Sequence, residues 1–295
     1  MAGRADLSNG SGGPTVVRRA AELSARRADW RRAGERIALV ATMGGIHDGH
    51  LALVKKARAL ADRTIVSLYV NPRQFAPGED LARYPRDEAG DRARLAGVDL
   101  LFAPSDAEIF GEGFATTVTV DGVTEGLCGP ERPGHFGGVA TVVAKLLLMV
   151  LPDFALFGEK DYQQLLMVRR LVADLAIPVD IVNVPTVREA DGLACSSRNA
   201  FLVETDRAIA VRLNQVLGEI VRRLEAREAS VAEALAWGRA ELEGAGFSRL
   251  DYLSLCDAET LAPLGALEGP ARILAAVRLG SLRLIDNMPV APPKS

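Results

Sequence analysis

The stretch Ile37 to Ala61, IALVATMGGIHDGHLALVKKARALA, decides the fold. Its first five residues form a short apolar run bounded by charge and glycine, the pattern of a strand buried on both faces. The Gly-rich turn TMGGIHDGH follows. From Leu51 to Ala61 the apolar residues then recur at helical spacing. A strand, a glycine turn and a helix make the opening of a crossover unit. Working outward, Thr64 to Val70 is a second β-branched run, ended by Asn71-Pro72. Asp87 to Ala96 reads as a charged helix and Leu100 to Ala103 as a third strand. Strands alternating with helices predict a parallel sheet.

The alternation continues with a strand over Ala115 to Val120 and an apolar helix over Val139 to Val150. A short strand at Ala155 to Phe157, a helix at Leu165 to Leu175 and a strand at Val179 to Val184 complete it. Upstream, Arg18 to Arg32 reads as a surface helix behind a loose Gly- and Ser-rich tail. Beyond Arg188 the character changes. Two amphipathic helices, Asp206 to Leu224 and Val231 to Glu243, precede strands at Leu250 to Leu255, Arg272 to Val277 and Leu282 to Ile285. Leu279-Gly280-Ser281 looks like a hairpin turn between the last two. The fold class is therefore α/β: a Rossmann-like parallel sheet with helices on both faces, over residues 1–186. A smaller α+β domain occupies residues 187–295.

Composition narrows the function classes. The chain has 295 residues, near the expectation for two domains of about 150 each. Its net charge of −3 gives no global steering toward nucleic acid. No run approaches the roughly 20 apolar residues of a spanning helix, and the N-terminus has no secretory apolar core. Cys128, Cys195 and Cys256 are odd in number and far apart, which argues against a disulfide framework and for a cytoplasmic setting.

The three histidines, His47, His50 and His135, all lie in Gly-containing segments between regular elements. The first two follow a strand and open a helix. Ligands of open parallel sheets bind at the carboxyl ends of strands, where a helix start offers N–H groups to phosphate. His47 and His50 can donate to phosphate oxygens from one side of the turn. A Gly-rich loop with two exposed histidines is the bland alternative. Zinc needs more ligands than His-x-x-His supplies. Gly158-Glu159-Lys160-Asp161 is a second strand-to-helix turn, where Lys160 can meet a polyphosphate and Asp161 can cap the helix. Gln74, Gln163 and Gln164 carry amides able to hold a carboxylate or hydroxyl. Ser196-Ser197-Arg198 combines two hydroxyls with a guanidinium and suits phosphate; a solvated linker is the other reading.

The first turn resembles the HxGH signature of the nucleotidyl-transferring superfamily that includes class I aminoacyl-tRNA synthetases. Five more segments follow in order: VNPRQF at Val70, YPR at Tyr84, RPGHF at Arg132, FGEKDYQQ at Phe157 and VPTVREADGLACSSRN at Val184. Together they resemble the pantothenate synthetase family, ligases that join pantoate to β-alanine with ATP. The resemblance spans Ile37 to Asn287. It implies an ATP site made of Met43, Gly44, Gly45, Ile46, His47, Asp48, Gly49, His50, Gly158, Glu159, Lys160, Asp161, Val187, Cys195, Ser196, Ser197 and Arg198.

It further implies His50 as acid catalyst, with His47, Lys160 and Arg198 neutralising charge. Gln74 and Gln164 would hold pantoate, with Gln74 also near β-alanine. Mg²⁺ is implied on the phosphates and a homodimer as the assembly; no protein metal site, nucleic acid or membrane is. Three positions depart from the usual pattern: Gly45-Ile46 replaces Ala-Leu, Cys128 replaces Glu, and Cys195 replaces Leu or Met. Beside Arg198, the Cys195 thiol is expected to have a lowered pKa; an inert buried Cys filling a Leu-like pocket is the other reading. Rival readings are another nucleotidyltransferase of this fold, a nucleotide sensor without turnover, and a zinc hydrolase.

Overall fold

The computed structural model describes residues 13–76 and 78–292. Most of the Gly- and Ser-rich tail lies outside them. The chain runs β1 (Thr15–Val17), α1 (Ala20–Arg32), β2 (Ile37–Thr42), α2 (Asp48–Leu60), β3 (Arg63–Leu68), α3 (Glu88–Arg94) and β4 (Leu100–Phe102). Two one-turn helices, α4 (Asp106–Ile109) and α5 (Cys128–Glu131), precede α6 (His135–Val150), β5 (Phe154–Gly158), α7 (Tyr162–Asp174) and β6 (Asp180–Val184). The remainder is α8 (Glu204–Glu225), α9 (Val231–Gly244), β7 (Arg249–Asp257), β8 (Ala271–Leu279) and β9 (Leu282–Val290). Among the described residues no helix is long and apolar enough to cross a membrane.

The first six strands form one parallel sheet in the order β1-β4-β3-β2-β5-β6. The period of two along β2 shows why it is central. Ile37 and Leu39 enter one core cluster with α1, α6 and α7, while Ala38 and Val40 enter another with α2. Both faces are covered, as a continuous apolar strand requires. The chain leaves β2 toward β3 on one side, and β5 joins on the other. The order therefore reverses between β2 and β5, and the crevice at their carboxyl ends is the natural ligand position.

Strands β7, β8 and β9 form a separate antiparallel sheet, with α8 and α9 packed in a second core. Gly280 and Ser281 make the tight link between β8 and β9, with Gly280 at φ +56°. Two local expectations differ from the structure. Thr15–Val17, read as tail, pairs with Leu100–Phe102 as an edge strand; three residues are too few to show a period. Ala115 to Val120 is no strand. No described strand lies beside it. Val118 N–H instead donates to Thr141 Oγ1 at 3.0 Å, and the segment's alternation reflects packing against α6.

Candidate active site

A cavity of about 230 Å³ opens at the switch point. One wall comes from the turn after β2. His47 stands at the N-cap of α2 and His50 at its third residue, in a reciprocal capping box. Gly49 N–H donates to His47 Nδ1 at 3.2 Å, and His47 N–H donates to His50 Nδ1 at 3.3 Å. A backbone N–H can only donate, so each Nδ1 is an acceptor and each ring carries its proton on Nε2. Burial, then Lys160, brings His47 down to about 4; burial, then His47, brings His50 to about 3. Both rings are neutral at ordinary pH and still offer an Nε2–H donor. Their centroids are 4.0 Å apart.

The rest of this turn does something the sequence did not announce. Buried Asp91 on α3 accepts from Gly45 N–H at 2.9 Å and Ile46 N–H at 2.7 Å. Those two donors are spent on shaping the loop and are not open to phosphate. Gly45 sits at φ +62°, and a Cβ there would come within 2.9 Å of Ser197 Cβ. Glycine at this departure from the usual Ala thus relieves strain. Asp48 is exposed and pairs with Arg94 at 2.8 Å.

The turn after β5 supplies the second wall. Lys160 Nζ lies 3.8 Å from Asp161 Oδ1. Asp161 occupies the N-cap position of α7, yet its carboxylate makes no capping bond. It lines the cavity instead. Burial raises this carboxyl, but Lys160 and Arg198 outweigh that and hold it below the usual range. Gln163 is absorbed elsewhere. Its Nε2 donates to the Val123 and Gly126 carbonyls and its Oε1 accepts from Cys128 N–H, which pins the segment before α5. Gln164 lines the cavity.

The third wall is the segment before α8. Arg198 is held in a two-pronged bond by Asp80, at 2.8 and 3.0 Å, which leaves Nη1 without a partner among the described residues. Ser197 Oγ lies 3.0 Å from Tyr84 Oη. Thr186 Oγ1 is buried without a hydrogen-bond partner and belongs to the lining. Cys195 is 6% exposed, and burial, then Glu189, raises its pKa, contrary to the expected lowering: Arg198 faces Asp80, not the thiol. Cys128 lies outside the cavity. Its Sγ sits 3.1 Å from Tyr252 Oη and 3.5 Å from Arg283 Nη2, against the second sheet.

Of the residues picked out from sequence, the cavity gathers Met43, His47, Gly49, His50, Gln74, Gly158, Lys160, Asp161, Gln164, Val187 and Cys195 to Arg198. Gly44, Gly45, Ile46, Asp48 and Glu159 stand behind it. Val139, Val142, Val143 and Leu146 of α6 complete an apolar side. Their i, i+3, i+4, i+7 spacing was visible in the sequence but reads equally as core. Gln74 Oε1 accepts from Asn71 Nδ2 at 3.1 Å.

A doubly wound sheet, two strand-to-helix turns meeting at its switch point, and neutral histidines beside a lysine and an arginine define a nucleotide-dependent enzyme of the HxGH class. Comparison with known proteins narrows this. Residues 15–289 match the family model described as Pantoate-beta-alanine ligase. The pantothenate synthetase of Paramagnetospirillum magneticum is 56% identical over 94% of this chain and 98% of its own. That of Chelativorans sp. is 54% identical, with the same coverage of each chain. The crystal structure of pantothenate synthetase from Thermus thermophilus superposes with a TM-score of 0.89 at 51% identity, covering 94% of this chain and 100% of that one. A Francisella tularensis pantoate-beta-alanine ligase, complexed with beta-gamma ATP and beta-alanine, gives 0.79 at 33% identity, covering 93% and 97%. The chain belongs to the pantoate-beta-alanine ligase family.

Proposed function

We propose that the chain joins (R)-pantoate to β-alanine through a pantoyl adenylate, with the cavity residues in the following roles. The carrying observation is the pairing of two nucleotide-type turns with an apolar, amide-bearing side in one cavity. Family membership and the ligands of the Francisella relative support the same reading. A pantoate carboxylate oxygen attacks the α-phosphorus of ATP, and the bond to pyrophosphate breaks. The β-alanine amine then attacks the acyl carbon, its proton is lost and AMP leaves.

The first step brings two anions together, so catalysis rests on charge neutralisation and alignment. His47 and His50 donate through Nε2–H. Lys160 supplies a point charge and Arg198 its free Nη1. Gln74 and Gln164 hold pantoate, whose methyl groups suit the apolar α6 side. Val187 and Thr186 of the lining would hold the base or ribose. Among the described residues no three His, Cys, Asp or Glu side chains converge as a metal site. Mg²⁺ would be carried by the phosphates, with Asp161 the acidic side chain in the lining able to meet it. Bound there, it would neutralise phosphate charge.

The adenylate is hydrolysable, so water must be kept out. We assign that role to residues 187–295, acting as a lid on residues 1–186. A cytoplasmic homodimer completes the proposal. Omitting each of ATP, Mg²⁺, pantoate and β-alanine in turn tests the reaction. Pyrophosphate should form without β-alanine, and AMP should appear only after it is added. Products of ADP and phosphate would overturn the adenylate route.

A further inference from the structure

His135 is the one histidine left without a part in this scheme. It is the first residue of α6 and is 8% exposed. Its Nδ1 lies 2.8 Å from the Gln74 carbonyl oxygen, and its Nε2 lies 2.8 Å from Arg132 Nη1. A carbonyl can only accept and a guanidinium can only donate. The ring is therefore neutral, with its proton on Nδ1, the opposite tautomer to His47 and His50. Both of its nitrogens are spoken for, so it has no free atom to offer a phosphate or to exchange a proton with substrate.

The surroundings hold this arrangement rigid. Arg132 Nη2 donates to the same Gln74 carbonyl at 3.3 Å. The guanidinium is itself forked onto Glu79, with Nε to Oε1 at 2.8 Å and Nη2 to Oε2 at 2.7 Å. Burial, then Arg132, keeps the imidazole down to about 4, so the clamp does not open by protonation near neutral pH. One turn further along α6, a Cβ on Gly138 would fall 2.2 Å from the Arg73 carbonyl oxygen, so the helix backbone lies directly on the Pro72–Gln74 turn. Asn71 Nδ2 ties the Gly138 carbonyl to the Gln74 amide, at 3.1 Å to each. The turn carrying Gln74 is thus gripped from α6 at both its backbone and its side chain.

We infer that His135, backed by Arg132, is a positioning residue that clamps the Gln74 carbonyl and so sets where the Gln74 amide meets pantoate. The inference rests on the reading of Gln74 as a pantoate-binding residue. It differs from a general structural role because it predicts a defect in pantoate binding that spares ATP.

The test compares pantoate and ATP kinetics across four single variants and one double variant. His135→Ala should raise the pantoate KM by about tenfold or more, with the ATP KM changed far less. In His135→Asn the side-chain amide nitrogen takes the place of Nδ1 and can still donate to the carbonyl, so it should recover most of that loss. His135→Gln places its amide nitrogen nearer the Nε2 position and should not. Gln74→Ala should raise the pantoate KM by itself, and the double variant with His135→Ala should be less than additive.

Equal rises in both KM values, or no recovery in His135→Asn, would overturn the clamp. Should His135→Ala fail to fold, the contrast between Asn and Gln at position 135 carries the test, and equal pantoate KM values in those two would overturn it. A Gln74→Ala enzyme with an unchanged pantoate KM would instead sink the assignment of Gln74. A normal pantoate KM in His135→Ala beside a defective Gln74→Ala enzyme would sink the clamp alone.

Discussion

At residue scale, three imidazoles divide into two kinds by whether Nδ1 accepts from the backbone or donates to it. His47 and His50 have Nδ1 filled and Nε2–H free; His135 has both filled. Replacing His50 or Lys160 by Ala should slow adenylate formation by roughly 10²-fold or more, the usual loss for a preorganised donor. Single-turnover pyrophosphate release reads this directly, and an unchanged rate would remove that residue from the step. The same histidines make stability depend on pH. Their folded pKa values, about 4 for His47 and His135 and about 3 for His50, lie below the ordinary 6.5. The unfolded chain therefore binds more protons as pH falls through 6.5. Their contribution is complete above that value and is lost toward the folded values, by about 1–2 kcal/mol per imidazole between pH 7 and 5. Glu79, Asp80 and Glu159 are also held below their ordinary values, so their contribution is likewise lost as pH falls, beginning below about 4.5. The thermal midpoint should fall between pH 6.5 and 5, and a flat midpoint there would contradict the neutral assignment.

At the scale of elements, β9 is more than the edge of a distant sheet. Buried Asn287 donates through Nδ2 to the carbonyls of Glu159 and Lys160, at 3.0 and 2.9 Å. Its neighbour Asp286 accepts both prongs of Arg188, at 2.7 and 3.0 Å. One strand thus holds the Lys160 turn and the segment leading to Ser196. Asn287→Ala leaves two carbonyls without their donor and should cost about 1–3 kcal/mol of stability. It should also slow adenylation without changing its products. Denaturant titration and single-turnover rates check both, and wild-type values in each would show the strand to be a bystander.

The elements also show what a sequence can and cannot reveal. The β2 turn was legible because strand, glycine and helix differ sharply in period and composition. Asp91 was not, since a buried acid on a charged helix looks like its exposed neighbours until its two N–H partners are seen. Ala115 to Val120 misled because alternation reports one buried face, whether or not a neighbouring strand exists. The α6 wall of the cavity was hidden for a similar reason: Val139, Val142, Val143 and Leu146 have the spacing of any core face.

At the scale of the whole molecule, the two sheets are bound by charge as well as by apolar contact. Arg272 is buried over the Tyr162 ring and reaches Glu159 Oε2 at 2.9 Å, and Arg249 reaches Glu131 at 2.6 Å. A ligand seated between the turns of one layer and the Ser196 segment should therefore stabilise both layers together. Saturation at 100 times Kd adds about 2.7 kcal/mol, or several degrees in a chain of this size. Calorimetry with Mg-ATP should show one transition moving upward. Two separate transitions, with only one responding, would mean the layers unfold independently.

The three thiols have a practical sequel. Cys128, Cys195 and Cys256 are all buried, at 7%, 6% and 0% exposure, and burial raises the latter two above their usual pKa. The native chain should react slowly with maleimide dyes, as mass spectrometry over a time course would show. Val203, by contrast, is 60% exposed just ahead of α8, beside the segment that carries Arg198. A dye attached through Val203→Cys would then be the dominant label without stripping out any native sulfur. Its emission would give a real-time optical record of that segment during a single turnover.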